Sequence, residues 1–318
     1  MRRPDMVRFL LLTIALAACL VLNSGYVANL AVIIGLHALP AIGLALLMGY
    51  TGQISLGHAA FYGLGAYGAA LLGRHLGTSP WLGILMAAVI VAAIARWLGA
   101  LVFRLKGHYL AMATLAFGII VHIGLVELRD LTGGPNGLTG IPPLSLFGHT
   151  FVSDFSVLPI VWAAVIAMMV LAQNLVNSPL GLTMRAIAEN ERIAASIGSD
   201  VIAVKRNIMM LSGFMAALGG GLYAHYIGYL SPGPFDVGFS IRLLLIVAVG
   251  GFSSIWGALF GVAFITLLGE TLKPLGSYDV IAYGLLLIAV IIFFPRGLLD
   301  GLSGLLTHVK KQPLRGAR

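Results

Sequence analysis

Charge is what this sequence has least of. Of 318 residues, 30 are Lys, Arg, Asp or Glu (19 basic, 11 acidic), or 9% of the chain. A soluble globular domain carries about 25%. A folded sphere of this size cannot cover itself with so few charges. That excludes an ordinary soluble enzyme, a disordered chain and a nucleic-acid binder. Cysteine is nearly absent: Cys19 stands alone, so there is no intrachain disulfide and no paired cysteine for a metal. It follows Leu16-Ala17-Ala18 behind Arg2, Arg3 and Arg8, as in a lipoprotein cleavage site. The apolar run continues through Leu20-Val21-Leu22, however, and reads better as an uncleaved first span. Catalytic signatures are missing too, with no Gly-x-Ser-x-Gly elbow and no His-Glu-x-x-His. Without a Gly-x-x-x-x-Gly-Lys-Ser/Thr loop, the chain is not expected to bind or split ATP itself.

What is present is apolar: 59% hydrophobic residues and 41 glycines. The class that fits is an all-α polytopic membrane protein. Apolar stretches bounded by Gly, Pro, Asn and charge predict about ten transmembrane or re-entrant helices. They run near Phe9–Leu22, Val27–Met48, Leu56–Leu72, Trp81–Phe103, Tyr109–Leu128, Val157–Val176, Ile208–Leu230, Phe239–Val249, Ile255–Leu272 and Val280–Phe294. Residues 1–300 read as one membrane domain and residues 301–318 as a basic tail.

The basic residues supply a second test of this reading. With ten alternating spans and a cytoplasmic N-terminus, 15 of the 19 Lys and Arg fall on the inner side. Only Arg74, Arg129, Arg242 and Lys273 fall outside. Basic loops stay cytoplasmic, so both termini are expected there, and the net charge of +8 records orientation rather than a nucleic-acid partner.

Two loops are longer than a compact bundle needs. Residues 131–156, expected outside, open with Thr132-Gly133-Gly134-Pro135-Asn136-Gly137, whose glycines permit backbone with φ > 0. Residues 177–207, expected inside, begin with Ser178-Pro179, an N-cap followed by proline at the first helical position. The run Arg185-Ala186-Ile187-Ala188-Glu189-Asn190-Glu191-Arg192-Ile193-Ala194-Ala195-Ser196-Ile197-Gly198 predicts one helix ended by Gly198. Such a short helix gains little stability alone and is expected to dock. Ile187, Glu191, Ala194/Ala195 and Gly198 would then share a face.

Gly49-Tyr50-Thr51-Gly52-Gln53-Ile54-Ser55-Leu56-Gly57-His58 interrupts apolar sequence with small and polar residues. About 200 residues later, Gly250-Gly251-Phe252-Ser253-Ser254-Ile255-Trp256-Gly257 makes a similar break. Corresponding breaks in two halves point to possible inverted repeats around a pathway, or to close helix packing through small residues. Tyr50, Thr51, Gln53, Ser55 and His58 are candidates for lining that pathway or for capping half-helix ends. His37, His122 and His225 lie in apolar runs, where a functional role and a hydrogen bond between helices are both open. Glu127, Arg242, Glu270 and Lys273 are expected near outer ends, and no relay of carboxylates runs through successive spans.

Five blocks in order carry a resemblance to a known family. They are Gly49–Phe61, Arg104–Leu115, Thr132–Ile141, Arg185–Gly198 and Pro295-Arg296-Gly297-Leu298. Together they resemble the permeases of branched-chain amino acid ABC importers, the LIV-type M subunits. The resemblance implies a permease of the bacterial inner membrane that pairs with a homologous second permease. Two cytoplasmic ATPase subunits, which hold ATP and Mg, and a periplasmic binding protein would complete the importer. No cofactor is implied for this chain. In that family a cytoplasmic loop of pattern Glu-Ala-Ala-x-x-x-Gly couples to the ATPase. Glu191, Ala194, Ala195 and Gly198 are similar to it, with two extra residues between Glu and the first Ala. Relatives carry urea, short amides or aromatic acids, so the solute stays open. An ion-coupled secondary carrier and a channel or structural subunit are the readings from other classes.

Overall fold

An unpaired peptide group is costly in hydrocarbon, so apolar runs of about 20 residues become helices whose hydrogen bonds are all internal. The computed structural model describes residues 24–272 except 106, 147 and 253, together with 284, 285 and 288. The expected first span, all of the last but those three residues, Pro295–Leu298 and the basic tail lie outside these residues. Within them the eight expected helices are present: α1 (Gly25–Thr51), α2 (His58–Leu76), α3 (Pro80–Val102), α4 (His108–Glu127), α6 (Asp154–Val176), α9 (Val201–Ile227), α10 (Val237–Gly250) and α11 (Ile255–Leu272). The short helices α5 (Arg129–Thr132), α7 (Pro179–Glu189) and α8 (Glu191–Ser196) lie in the two long loops.

Six helices among the described residues are long and apolar enough to cross a bilayer, namely α1, α3, α4, α6, α9 and α11. Helix α10, at 14 residues, is too short, since a span needs about 20. Its first turn brings Phe239 against His37, with ring centroids 5.2 Å apart. His37 is at the middle of the 27-residue α1, so α10 starts at half depth. Asp236 starts it there by accepting the Phe239 amide at 2.9 Å. The approach is a 3-10 turn, Gly233–Phe235, whose phenyl ring is buried against Tyr62 and Tyr67 of α2. This segment therefore crosses the bundle as an irregular outer half and a half-length helix rather than as one continuous helical span. Arg242 consequently lies well within the bundle and not near an outer end.

Helix α9 is the central post, packed on α1, α2 and α3. Small residues set those distances. A Cβ at Gly220 would land on the Tyr62 carbonyl oxygen, and one at Gly65 on the Ala217 backbone. Lipid is as apolar as leucine, so this close van der Waals contact, rather than hydrophobic exclusion, is what favours helix association. Hydrogen bonds add to it at the end of the bundle away from the 177–207 loop. There Asn29 donates to the Tyr226 hydroxyl (2.6 Å), which donates to Asp154 (2.7 Å), joining α1, α9 and α6.

The 131–156 loop covers that same end. Gly133, Gly134 and Gly137 have φ of 78°, 57° and 76°, as their residue type leads one to expect. They turn the chain into β1 (Leu138–Thr139), which pairs antiparallel with β4 (Tyr229–Leu230) just after α9. The Tyr229 hydroxyl donates to the Asn136 carbonyl at 3.1 Å. A hairpin of β2 (Leu144–Leu146) and β3 (His149–Phe151) follows, and Trp81 donates to the Ser145 carbonyl at 2.7 Å. His225 bonds the Pro142 carbonyl at 2.8 Å and so serves this loop.

Candidate functional site

The 177–207 loop does not form the single helix expected of it. Ser178 and Pro179 start α7 as read, but Asn190 is extended (φ −157°, ψ 106°) and breaks the run. Its side-chain oxygen accepts the amides of Arg192 (3.0 Å) and Ile193 (3.2 Å), making it the N-cap of α8. Asparagine competes with the helix for these amides, which is why it favours caps over helix interiors. The break corrects the expected shared face. Ile187 and Ala194 are buried toward the bundle, whereas Ala195 and Gly198 are exposed. Gly198 does end the run, with φ of 87°. Its amide bonds the Ala195 carbonyl (3.0 Å) and the Ser199 amide bonds that of Ala194 (3.2 Å), the paired closure of a Schellman motif.

The inward face of this loop docks on the Gly-rich break between α1 and α2. The Arg185 guanidinium lies over the Tyr50 ring, 5.7 Å from its centroid. Gly52, at φ 68°, turns the chain closely past Ala188, whose Cα would lie 3.3 Å from a Cβ placed there. Gln53 donates to the Thr51 carbonyl (2.8 Å) and to the Glu191 carboxylate (3.3 Å). The same carboxylate is ion-paired with Lys205 of α9, whose side chain is 2% exposed. Lys205 also lies over the Phe103 ring at the end of α3, 5.8 Å from its centroid. Glu191 therefore joins the loop, the break and the central helix. A buried ammonium is tolerated only with a partner, and Glu191 supplies it.

Thr51, Ser55 and His58 of the break are buried and hydrogen-bonded. Thr51 donates to the Leu47 carbonyl. The His58 ring lies between two hydroxyls, Nδ1 3.0 Å from Ser55 Oγ and Nε2 2.6 Å from Ser212 Oγ. Hydroxyls both donate and accept, so either neutral tautomer satisfies both. At the start of α2, the Leu56 amide bonds Thr114 (3.1 Å) and the Ala59 amide bonds Ser240 of α10 (3.0 Å). These contacts hold otherwise orphaned amides at a helix N-terminus. The two Gly-rich breaks meet: a Cβ at Gly49 would land on the Phe252 carbonyl oxygen. The break thus sits at the loop-side end of the bundle, braced on three sides.

A second site escapes the sequence reading. A cavity of about 870 Å³ opens between α1, α2, α9 and α10 around the half-depth start of α10. Gly238, Ile241, Arg242 and Leu245 face it from one side of α10, at the i, i+3, i+4, i+7 spacing of a single helix face. His37, Tyr62, Tyr223 and Asp236 complete its polar wall, and Ile33 and Ile227 its apolar one. The signal available beforehand was Pro232-Gly233-Pro234-Phe235-Asp236 ahead of an apolar run too short to span.

A multi-pass helical bundle with a half-depth helix, an open cavity at the start of that helix and a docked loop at one end has the architecture of a membrane transport component. Residues 26–295 match the family model described as branched-chain amino acid transport system, permease component. The chain belongs to this family. It is 30% identical over 312 residues to the high-affinity branched-chain amino acid transport system permease protein LivM of Escherichia coli (strain K12), covering 91% of this chain and 73% of that one. LivM of Salmonella typhimurium gives the same identity and coverage. LivH of Salmonella typhimurium is 26% identical over 287 residues, 83% of this chain and 91% of that one. No solved structure matches.

Proposed function

We propose that this chain is one of two permease subunits of a binding-protein-dependent ABC importer for branched-chain amino acids in the bacterial inner membrane. The 177–207 loop and both termini face the cytoplasm, and the 131–156 loop faces the periplasmic binding protein. Two ATPase subunits, which hold ATP and Mg, dock on the 177–207 loop. The supporting observation is the two-faced character of that loop. Inward, Arg185, Ala188 and Glu191 grip the break and α9; outward, Ile193 of α8 and Ile197 at its C-cap are 62% and 71% exposed. A helix presenting apolar residues on a loop, its other face already anchored, suits a partner groove. A push on α8 would reach α9 through Glu191–Lys205 and the α1–α2 break through Gln53. Tyr50, Thr51, Gln53, Ser55 and His58 then belong to the moving joint at the inner mouth of the pathway.

Gly198→Asp tests this reading. The space around Gly198 is open, but φ of 87° favours glycine, so the variant unpicks the end of α8 without disturbing the core. Normal membrane insertion is expected, with loss of most ATP-driven leucine uptake in vesicles carrying the whole importer. Unimpaired uptake refutes the coupling role. Uptake in vesicles lacking nucleotide, driven by an ion gradient, would instead support a secondary carrier.

A further inference from the structure

The cavity at the start of α10 has the chemistry of a ligand site. Its volume of about 870 Å³ falls in the range of about 300–1,000 Å³ common for small-molecule sites. Among the described residues that line it, Asp236 and Arg242 carry opposite charges. Asp236 is the N-cap of α10 and Arg242 lies in its second turn, and both line the cavity. An aromatic wall shares the lining with them: Tyr62 lies 5.7 Å from Tyr223 and 5.2 Å from Phe239, centroid to centroid.

One further observation points to a missing partner. Tyr62 is 2% exposed, and its hydroxyl is buried without a hydrogen-bond partner among the described residues. An unmade hydrogen bond of this kind costs about 1–3 kcal/mol, and native structures carry few of them.

We propose that this cavity is the station at which the permease holds its cargo, and that it is built for a zwitterionic amino acid with an aliphatic side chain. The ammonium group sits at Asp236 against the aromatic faces. The carboxylate sits at Arg242, and the alkyl group lies on Ile33, Ile227 and Leu245. Tyr62 supplies a hydroxyl to the cargo, which satisfies its orphaned group. The half-depth start of α10 places this station midway along α1, with the Gly49–Phe252 closure between it and the loop-side end. This rests on the importer reading above and adds to it the residues that read the cargo.

The test is ATP-driven leucine uptake by proteoliposomes containing the whole importer. Asp236→Asn keeps a good N-cap and removes the charge. Arg242→Gln removes the other charge, while Arg242→Lys keeps it. Asp236→Asn and Arg242→Gln are each expected to lower uptake about tenfold or more, the effect of losing one charged hydrogen bond. Arg242→Lys is expected to lose less than Arg242→Gln, and Arg74→Gln, remote from the cavity, to match the wild type. A second measurement does not depend on these variants folding. Ile241→Cys in a Cys19→Ser background is labelled with a methanethiosulfonate reagent while the importer turns over. Leucine is expected to slow labelling severalfold. Uptake within twofold of wild type for both charge-removing variants, or labelling indifferent to leucine, overturns the inference while leaving the importer reading intact. A wild-type importer that moves only an uncharged or anionic solute overturns both.

Discussion

Lys205→Met is expected to lower leucine uptake by the reconstituted importer severely and to destabilise the chain by about 3 kcal/mol, the low end for breaking a buried pair. Glu191, left behind, is part-exposed, which lets water recover some of the loss. The double variant Glu191→Leu, Lys205→Met removes both charges and is expected to regain most of the stability, because apolar groups replace buried ion pairs at little cost. It is not expected to regain uptake if the pair transmits the stroke of α8 to α9. Thermal unfolding in detergent reads the first quantity and vesicle uptake the second. Full recovery of both in the double variant would reduce the pair to a local stabiliser.

Gly49→Ala is the second large effect expected. A Cβ there overlaps the Phe252 carbonyl, a backbone group that no rotamer change can move aside. Overpacking of this kind costs about 1–3 kcal/mol even in cores that adjust, and here the two Gly-rich breaks must separate. Gly124→Ala in α4 is the matched control. Nothing lies within 4 Å of its Cβ, and its backbone is helical. Alanine is favoured over glycine in a helix interior by about 1 kcal/mol, so this variant is expected to be neutral or slightly stabilising. The contrast is read in one melting experiment. Equal stability of the two variants would mean that the breaks are not in contact.

Much of this architecture was legible because membranes punish unpaired backbone so strictly. Val27–Met48 and Trp81–Phe103 each lie within three residues of the helices that form, α1 and α3, and Ile255–Leu272 has the same bounds as α11. Gly198 and Gly133–Gly137 were readable from residue type alone, since positive φ selects glycine. The division of the 177–207 loop was not, because helix propensity runs unbroken through it and only the cap geometry of Asn190 shows the turn. The half-depth start of α10 is half visible in the sequence: its brevity shows, but its depth depends on Phe235 and Phe239 finding Tyr62. The Gln53–Glu191–Lys205 junction joins residues 138 apart in sequence, and hydropathy says nothing about such pairings. By sequence Tyr50 and Gln53 are pathway candidates and Arg185 and Glu191 coupling candidates. The structure puts the two groups in contact.

The central claim is that α8 is where the ATPase subunits engage this chain. A photo-crosslinking amino acid at Ile193 or Ile197 in the assembled importer tests it most directly, with Tyr229, 42% exposed at the opposite end, as the comparison site. The account predicts covalent adducts with an ATPase subunit from Ile193 and Ile197 and none from Tyr229. Adducts from α8 with lipid or the binding protein alone would contradict it.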